Sequence, residues 1–303
     1  MIHSAFSRRS FCRVALVGAA LAAHQALAQS AAKSPITLAD VNRMDLATFV
    51  ATFGNVFEAA PWVAREAYAK KPFATVTSLH QAMFDAFRAA PQAEQLGFFR
   101  ALADIGDIQL GEADRARLAQ LNKSYKDRFG YSYVISIPRS TPETVLTQLE
   151  RRLRNDPAAE LAVAIQQEFL ITRLRLAALV TGDGMPGVNG DVGTHVANAV
   201  IGRSAVGMSV ELFEMFGERS RKISQSTTNA SGIATLIEGR PVPIGRYELR
   251  FAVADYFRTQ NVAVGDPPYI DYVPVRFSVD NAEGHYHIPL VCTPWTYSTY
   301  RGS

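Results

Sequence analysis

Two histidines near the C-terminus have the residue type and the spacing that proton transfer requires. His285 and His287 are separated by Tyr286. Successive side chains of an extended strand project to opposite faces, so the two imidazoles would share one face. Because histidine titrates near neutral pH, such a pair can act as a general base and a general acid. The same spacing also fits a solvated edge strand that performs no chemistry.

The first 28 residues read as an export signal. Arg8 and Arg9 precede an apolar run over residues 14–23, and Ala26-Leu27-Ala28 forms a small-residue cleavage site. The paired arginines followed by Phe11 are typical of a twin-arginine signal. We therefore predict export and cleavage after residue 28. The product would be a periplasmic protein that is not held in the membrane.

The charge balance argues against a nucleic-acid-binding protein, and the cysteine content argues against an intrachain disulfide. The chain has 31 Lys and Arg against 28 Asp and Glu. Cleavage would remove Arg8, Arg9 and Arg13 and no acidic residue, which leaves 28 of each sign and a net charge of zero. Such a balance gives no electrostatic footprint for nucleic acid. Cys12 would leave with the signal, so Cys292 would have no intrachain disulfide partner.

The 303 residues, 48% of them hydrophobic, suffice for two ordinary domains with their own cores. Apolar residues at helical spacing over residues 33–181 predict an all-α helical domain, with Asp45 as an N-cap and Pro61 at a first turn. Residues 182–191 contain four glycines and one proline and predict a linker. Short alternating runs over residues 192–303 predict an antiparallel β-sandwich. The predicted strands are 208–213, 226–228, 246–253, 272–279 and 286–291.

The helical part resembles the 2-oxo-4-hydroxy-4-carboxy-5-ureidoimidazoline (OHCU) decarboxylases. The matching motifs include residues 57–63, 79–83, 121–131 and 151–156. The resemblance implies that Arg152 is the family's substrate-binding arginine, and it places Leu102 where the family has its catalytic histidine. Leucine cannot transfer a proton, so we expect no decarboxylation by the family route. The domain would then serve packing, ligand binding or presentation of its neighbour.

The second part resembles the transthyretin-like 5-hydroxyisourate hydrolases over its whole length. The motifs that carry the resemblance are Gly193-Thr194-His195-Val196, Asn229-Ala230-Ser231-Gly232, residues 245–249 and 254–257, and the ending from His285 to Tyr300-Arg301-Gly302-Ser303. The resemblance implies the catalytic residues His195, His287 and Ser303. It also implies substrate contacts from His285, Tyr300 and Arg301. The family has an arginine where this chain has Ile233, and Arg240 is a candidate replacement.

These resemblances together imply a fusion of two domains of urate degradation. The second domain would hydrolyse 5-hydroxyisourate, a small purine-derived substrate, without a cofactor. Its active sites would lie between the subunits of a homotetramer, where the C-terminal residues are buried. Two alternatives remain. One is a non-catalytic ligand-binding or scaffold protein on the same fold, and the other is a zinc site formed by His195, His285 and His287.

Overall fold

The computed structural model describes residues 34–58, 60–106 and 108–302. The predicted signal at residues 1–28 and the predicted catalytic residue Ser303 therefore lie outside the described residues. Within the described part, helices form the first domain and strands form the second, as the sequence predicts. None of the helices in this part is long and apolar enough to cross a membrane.

The helical domain contains eight α-helices among its described residues. They are α1 (Leu38–Arg43), α2 (Leu46–Phe53), α3 (Pro61–Tyr68), α4 (Val76–Ala89), α5 (Gln92–Ala101), α6 (Glu112–Phe129), α7 (Pro142–Arg152) and α8 (Pro157–Leu179). A short 3-10 turn, Ile137–Arg139, precedes α7. The predicted cap of α2 is confirmed, because the Asp45 carboxylate accepts a hydrogen bond from the Thr48 amide at 2.8 Å.

Aromatic side chains fill the core of the helical domain. Phe49, Phe53, Phe57 and Phe87 are fully buried, and their ring centroids lie about as close as aromatic pairs in protein cores do, for example 4.7 Å between Phe49 and Phe53. The fully buried ring of Phe99 packs edge-on against that of Phe87, with 6.0 Å between centroids. The domain thus has a core of its own.

The segment predicted as a linker is partly built into the two domains. Strands β1 (Ile36–Thr37) and β2 (Val180–Thr181) pair in parallel. The carbonyls of Asp183 and Gly184 accept hydrogen bonds from the amides that begin α4. Strand β3 begins at Gly190, two residues earlier than expected, because Gly190 and Asp191 already pair with neighbouring strands.

The second domain consists of two sheets with one core between them. Its further strands are β4 (Arg203–Ser204), β5 (Ser209–Phe216), β6 (Arg219–Thr227), β7 (Ile233–Arg240), β8 (Gly245–Phe251), β9 (Val273–Val279), β10 (His285–His287), β11 (Leu290–Cys292) and β12 (Tyr297–Thr299). One sheet has the order β6-β5-β8-β9, and all of its pairs are antiparallel. In the other sheet β3 is central; it pairs antiparallel with β4 and β7 and parallel with β10 and β11.

A helix interrupts the strands where the sequence suggests continued extension. The predicted strand 246–253 ends at Phe251, and helix α9 (Val253–Thr259) follows. Val253, Tyr256 and Phe257 recur at helical spacing and are all buried, so the helix covers the core with one face. The β-branched Val253 favoured the predicted strand, and tertiary packing overrides that preference.

Candidate active site

Strand β3 lies at the centre of the candidate site, and its two faces differ in burial. Val192, Thr194 and Val196 are fully buried toward the sandwich core, whereas Gly193 and His195 alternate with them on the other side and are half-buried. We call this second side, which carries Asp191, Gly193, His195 and Ala197, the outer face. The alternation of a half-buried strand thus projects the His195 imidazole away from the core.

Strand β10 runs beside β3 and presents its histidines on the same outer face. His287 lies opposite Gly193 and His285 lies opposite Asp191, while Tyr286 between them is buried. This confirms that the two imidazoles share one side of a strand. His287 is the diagonal neighbour of His195, a spacing of roughly 7 to 8 Å in a sheet. The structure therefore brings together two histidines from opposite ends of the domain.

His285 is fixed by its strand partner. Its Nδ1 atom is hydrogen-bonded to an oxygen of the Asp191 carboxylate. The side chain is otherwise largely exposed to solvent. The carboxylate holds the ring in one orientation and leaves Nε2 free to face a bound molecule. His285 thus has the geometry of an orienting or binding group at the edge of the histidine pair.

The C-terminal segment lies against His287. Strand β12 pairs with β11, and the Gly302 amide then donates a hydrogen bond to the His287 carbonyl at 2.9 Å. A Cβ atom at Gly302 would lie only 2.3 Å from Cδ2 of the His287 ring, so the close approach needs glycine. Tyr300 and Arg301 precede this contact and are exposed. The terminus is therefore packed near the histidines.

A tight turn covers the other side of His195. Gly232 has a φ of +76°, and a Cβ there would lie 3.2 Å from Cδ2 of His195 and 2.6 Å from the Val196 carbonyl oxygen. The next residue, Ile233, lies directly opposite His195 on β7 and is 45% exposed. An apolar side chain thus occupies the place where the resemblance would put an arginine.

Arg240 does not substitute for that arginine beside His195. It ends β7 opposite Gly190 and lies seven residues along the strand from Ile233, a span of roughly 20 Å. It lies at the end of β7 that is nearer to Asp191 and His285, but its partner Gly190 belongs to the buried side of β3 and not to the outer face. The expectation of a shifted loop is not met, since the intervening residues form a continuous strand.

An arginine that the sequence did not single out lines the groove beside His195. This open groove has a volume of about 880 Å³, and its walls include His195, Arg203, Ser204, Val206, Ala230 and Val291. Within the part of the chain that the structure describes, Arg203 makes no ion pair. Most other arginines of this domain do, as Arg221 does with Glu214. Arg203 follows a glycine in a turn, and no sequence motif marks it.

The arginine expected to bind substrate in the helical domain is buried. The Nε atom of Arg152 donates to Glu160 Oε1 at 2.8 Å, and Nη1 donates to the Val134 carbonyl at 2.7 Å. Glu160 is also bound by Asn155 Nδ2 at 2.7 Å and by the Tyr125 hydroxyl, and burial together with this last bond raises the pKa of Tyr125. With Arg152 3% exposed, its guanidinium is occupied inside the fold.

Leu102 and three further candidate features lie away from the histidine pair or form no site. Leu102 is the C-cap residue of α5 and packs half-buried on the helical core. His80 is buried, with its Nε2 atom 3.0 Å from Thr172 Oγ1. Burial raises the pKa of the Cys292 thiol to about 11. Among the described residues, no three His, Cys, Asp or Glu side chains are arranged to hold a metal ion.

A helical domain followed by a sandwich that exposes neighbouring histidines defines a two-domain protein with a transthyretin-like second half. The chain belongs to the HIUase/Transthyretin family through residues 192–302 and to the OHCU decarboxylase family through residues 42–177.

Three similar proteins span one or both halves. A 5-hydroxyisourate hydrolase of Deinococcus radiodurans is 46% identical over 122 residues, which cover 40% of this chain and 98% of the relative. An OHCU decarboxylase of Haloferax volcanii is 32% identical over 159 residues, which cover 47% of this chain and 95% of the relative. The crystal structure of an (S)-allantoin synthase is 28% identical and covers 89% of this chain and 100% of its own, with a TM-score of 0.49.

Proposed function

We propose that the second domain hydrolyses 5-hydroxyisourate to OHCU in urate degradation. The observation that carries the proposal is the placement of His195 and His287 as diagonal neighbours on the outer face, with the C-terminal segment against His287. The relatives that match this domain at up to 46% identity are named 5-hydroxyisourate hydrolases. A non-catalytic carrier role has less support, because it would leave this arrangement of histidines without a use.

The chemistry is the addition of water across a ring amide. One imidazole of the pair accepts a proton from water as its oxygen attacks the carbonyl carbon. The other donates a proton to the ring nitrogen as the C–N bond breaks, and the six-membered ring opens. Each imidazole thus ends in the opposite protonation state, and exchange with solvent restores the pair. His285, held by Asp191, would orient the substrate.

A urate-like substrate with anionic character needs a positive group, and Ile233 cannot supply it. Arg203 lines the same groove as His195, and Arg301 precedes Gly302, whose amide donates to the His287 carbonyl. The groove of about 880 Å³ is within the size range of small-molecule sites. We propose that Arg203 and Arg301, rather than Arg240, bind the negative charge of the substrate.

The helical domain is proposed to lack decarboxylase activity. Leu102 stands at the position of the family histidine, and the Arg152 guanidinium is bound by Glu160 instead of being open to a ligand. Neither side chain can therefore take part in decarboxylation at an accessible site. Allantoin formation from OHCU should proceed no faster with the protein than without it.

We also propose that the protein is a homotetramer located in the periplasm. Ile233, Val291 and Tyr300 are exposed apolar or aromatic side chains on or next to the outer face. Contact between outer faces of different subunits would cover them and bring further groups to the histidines, as in a homotetramer. The twin-arginine pattern of residues 1–28 supports export to the periplasm. Light scattering at micromolar concentration should give a tetramer mass, and a monomer would contradict this assembly.

The decisive assay follows the decay of freshly made 5-hydroxyisourate. The mature protein should accelerate the decay, a His287→Ala variant should not, and a chelator should leave the activity unchanged. Decay at the buffer rate with the wild-type protein would remove the hydrolase proposal. Loss of activity on chelation would favour the zinc alternative.

A further inference from the structure

A turn immediately before β10 is hydrogen-bonded to both strands that carry the histidines or face them. We call residues 280–284 the Glu283 turn. The Tyr286 hydroxyl donates to Asp280 Oδ1 and accepts from the Asn281 amide, both at 2.9 Å. The Gly284 carbonyl accepts from the Asp191 amide at 3.2 Å. The turn is therefore tied both to β10 and to the start of β3, and a shift of the turn would move the histidine strand.

The turn also fits tightly against β3. A Cβ atom on Gly190 would lie 2.6 Å from the Gly284 carbonyl oxygen and 2.7 Å from that of Ala282. The Val242 amide donates to the Ala282 carbonyl at 2.8 Å. The Glu283 turn is consequently held between two segments of the sandwich, with little room for displacement.

The helical domain contacts this turn through an ion pair. The Arg139 guanidinium pairs with the Glu283 carboxylate, and the two side chains are only 10% and 20% exposed. Burial and the charge of Arg173 lower the pKa of Arg139. A cation in this position is costly to bury, and Glu283 is the anion that contacts it. Removing either partner would leave the other poorly solvated and unpaired.

The backbone around Arg139 is itself fixed to the sandwich. The Ile244 amide donates to the Arg139 carbonyl at 2.8 Å, and the Thr141 amide donates to the Ile244 carbonyl at 3.0 Å. The Thr144 hydroxyl donates to the same Ile244 carbonyl at 2.7 Å. Arg139 is thus presented to Glu283 by a short segment that pairs with the second domain like an added strand.

We propose that Arg139 is a positioning residue for the hydrolase site, and that through Glu283 the helical domain holds the strand that carries His285 and His287. This inference rests on the proposed hydrolase function. It gives the helical domain a role that needs none of the decarboxylase chemistry that Leu102 removes.

The test uses the full mature chain with Arg139→Gln, Glu283→Gln, the double variant and the charge-exchanged pair Arg139→Glu/Glu283→Arg. Each single variant should lower kcat roughly ten-fold and change KM less than about two-fold, since small displacements of positioned groups cost one to two decades in rate. The double variant should be no worse than either single one, because both remove the same interaction. The exchanged pair should regain part of the lost kcat.

Arg219→Gln is the matched control, because Arg219 forms another ion pair between the domains, with Asp114, but on a strand of the other sheet. It should keep wild-type kcat. Hydrogen exchange of residues 280–288 should be faster in Glu283→Gln than in Arg219→Gln. Equal exchange and equal kcat in these two variants would overturn the positioning role. If Arg139→Gln fails to fold, the Glu283→Gln variant alone tests the positioning role. The hydrogen-exchange comparison remains a valid test even if the wild-type protein proves inactive as a hydrolase.

Discussion

The two domains place their polar side chains in opposite ways. In the helical domain Arg152, Glu160, His80 and Glu168 are all buried, and most of them are bound by neighbouring groups of the fold. In the sandwich the histidines project from the outer face, where a bound molecule can reach them. The two domains therefore differ in how accessible their polar side chains are to a ligand, and the residue types alone do not reveal this difference.

Substitutions in the histidine pair should have the largest effect on activity. Replacing His195 or His287 by alanine removes a proton-transfer group, and we expect kcat for 5-hydroxyisourate to fall by about 100-fold or more. Both side chains are only half-buried on the surface of the sheet, so thermal unfolding should change little. Steady-state kinetics and circular dichroism on the same preparations separate the two effects. Activity within a few-fold of wild type would show that the pair performs no catalysis.

Arg152 should behave in the opposite manner, affecting stability without affecting hydrolysis. Arg152→Ala leaves the Glu160 carboxylate buried without its cation, and the free energy of unfolding should fall by about 3–5 kcal/mol. Urea unfolding measures this loss. The neighbouring Arg151 is exposed, and Arg151→Ala serves as the control with a change below about 0.5 kcal/mol. An unchanged unfolding midpoint in Arg152→Ala would show that the network does not stabilise the domain.

Glu168 makes the stability of the helical domain depend on pH. Burial, as the main cause, raises the pKa of Glu168 to about 7, and its Oε1 atom has no hydrogen-bond partner among the described residues. The folded state therefore holds this proton more tightly than the unfolded chain. The contribution of Glu168 to the free energy of unfolding is complete below the unfolded pKa of about 4.5. It is lost as pH rises through the folded pKa of about 7.

The Glu168→Gln variant removes that pH dependence. Relative to wild type, its free energy of unfolding should increase by on the order of 2–3 kcal/mol between pH 5 and pH 8. His80 acts in the other direction, because burial lowers its pKa to about 4, so its contribution is lost as pH falls from 6.5 toward 4. Comparing Glu168→Gln with wild type at each pH cancels this second effect. The exposed Glu66→Gln should show no such trend, and an equal trend in both variants would contradict the assignment to Glu168.

Local signals in the sequence predicted the elements well and the site only in part. Capping at Asp45 and proline at Pro61 and Pro157 fixed helix starts, because these residues act within one turn. The alternation of His285 and His287 likewise depends only on strand geometry. Strand β6 escaped detection over residues 219–225, since an exposed edge strand rich in charged and polar residues lacks hydrophobic alternation.

Long-range pairing explains what the sequence could not predict. The proximity of His195 to His287 depends on the parallel register of β3 and β10, which no local pattern specifies. The Arg139–Glu283 pair depends in the same way on how the domains pack. The resemblance to a family identified the histidines and Arg301. Arg240 was a candidate only because it is near Ile233 in the sequence, and the structure separates the two along β7. Arg203 reaches the groove through the pairing of β4 with β3.

The smallest effect in this series tests which arginine serves the site. Arg203→Gln removes a cation from the groove beside His195, and kcat/KM should fall about ten-fold, as expected for one partly solvated contact worth about 1.4 kcal/mol. Arg240→Gln should lower it less, since Arg240 lies at the far end of β7. Arg258→Gln, an exposed arginine paired with Asp255 on α9, controls for the change in net charge.

Restoring charge at Ile233 sharpens the same test. Ile233 is directly opposite His195, so Ile233→Arg should recover part of the kcat/KM lost in Arg203→Gln when the two changes are combined. This recovery is expected only if the groove and the β7 position hold the same anionic group of the substrate. If Arg203→Gln matches Arg258→Gln while Arg240→Gln loses activity, the substrate's negative charge is bound at the Arg240 end of β7. The cation would then have been correctly predicted from the sequence.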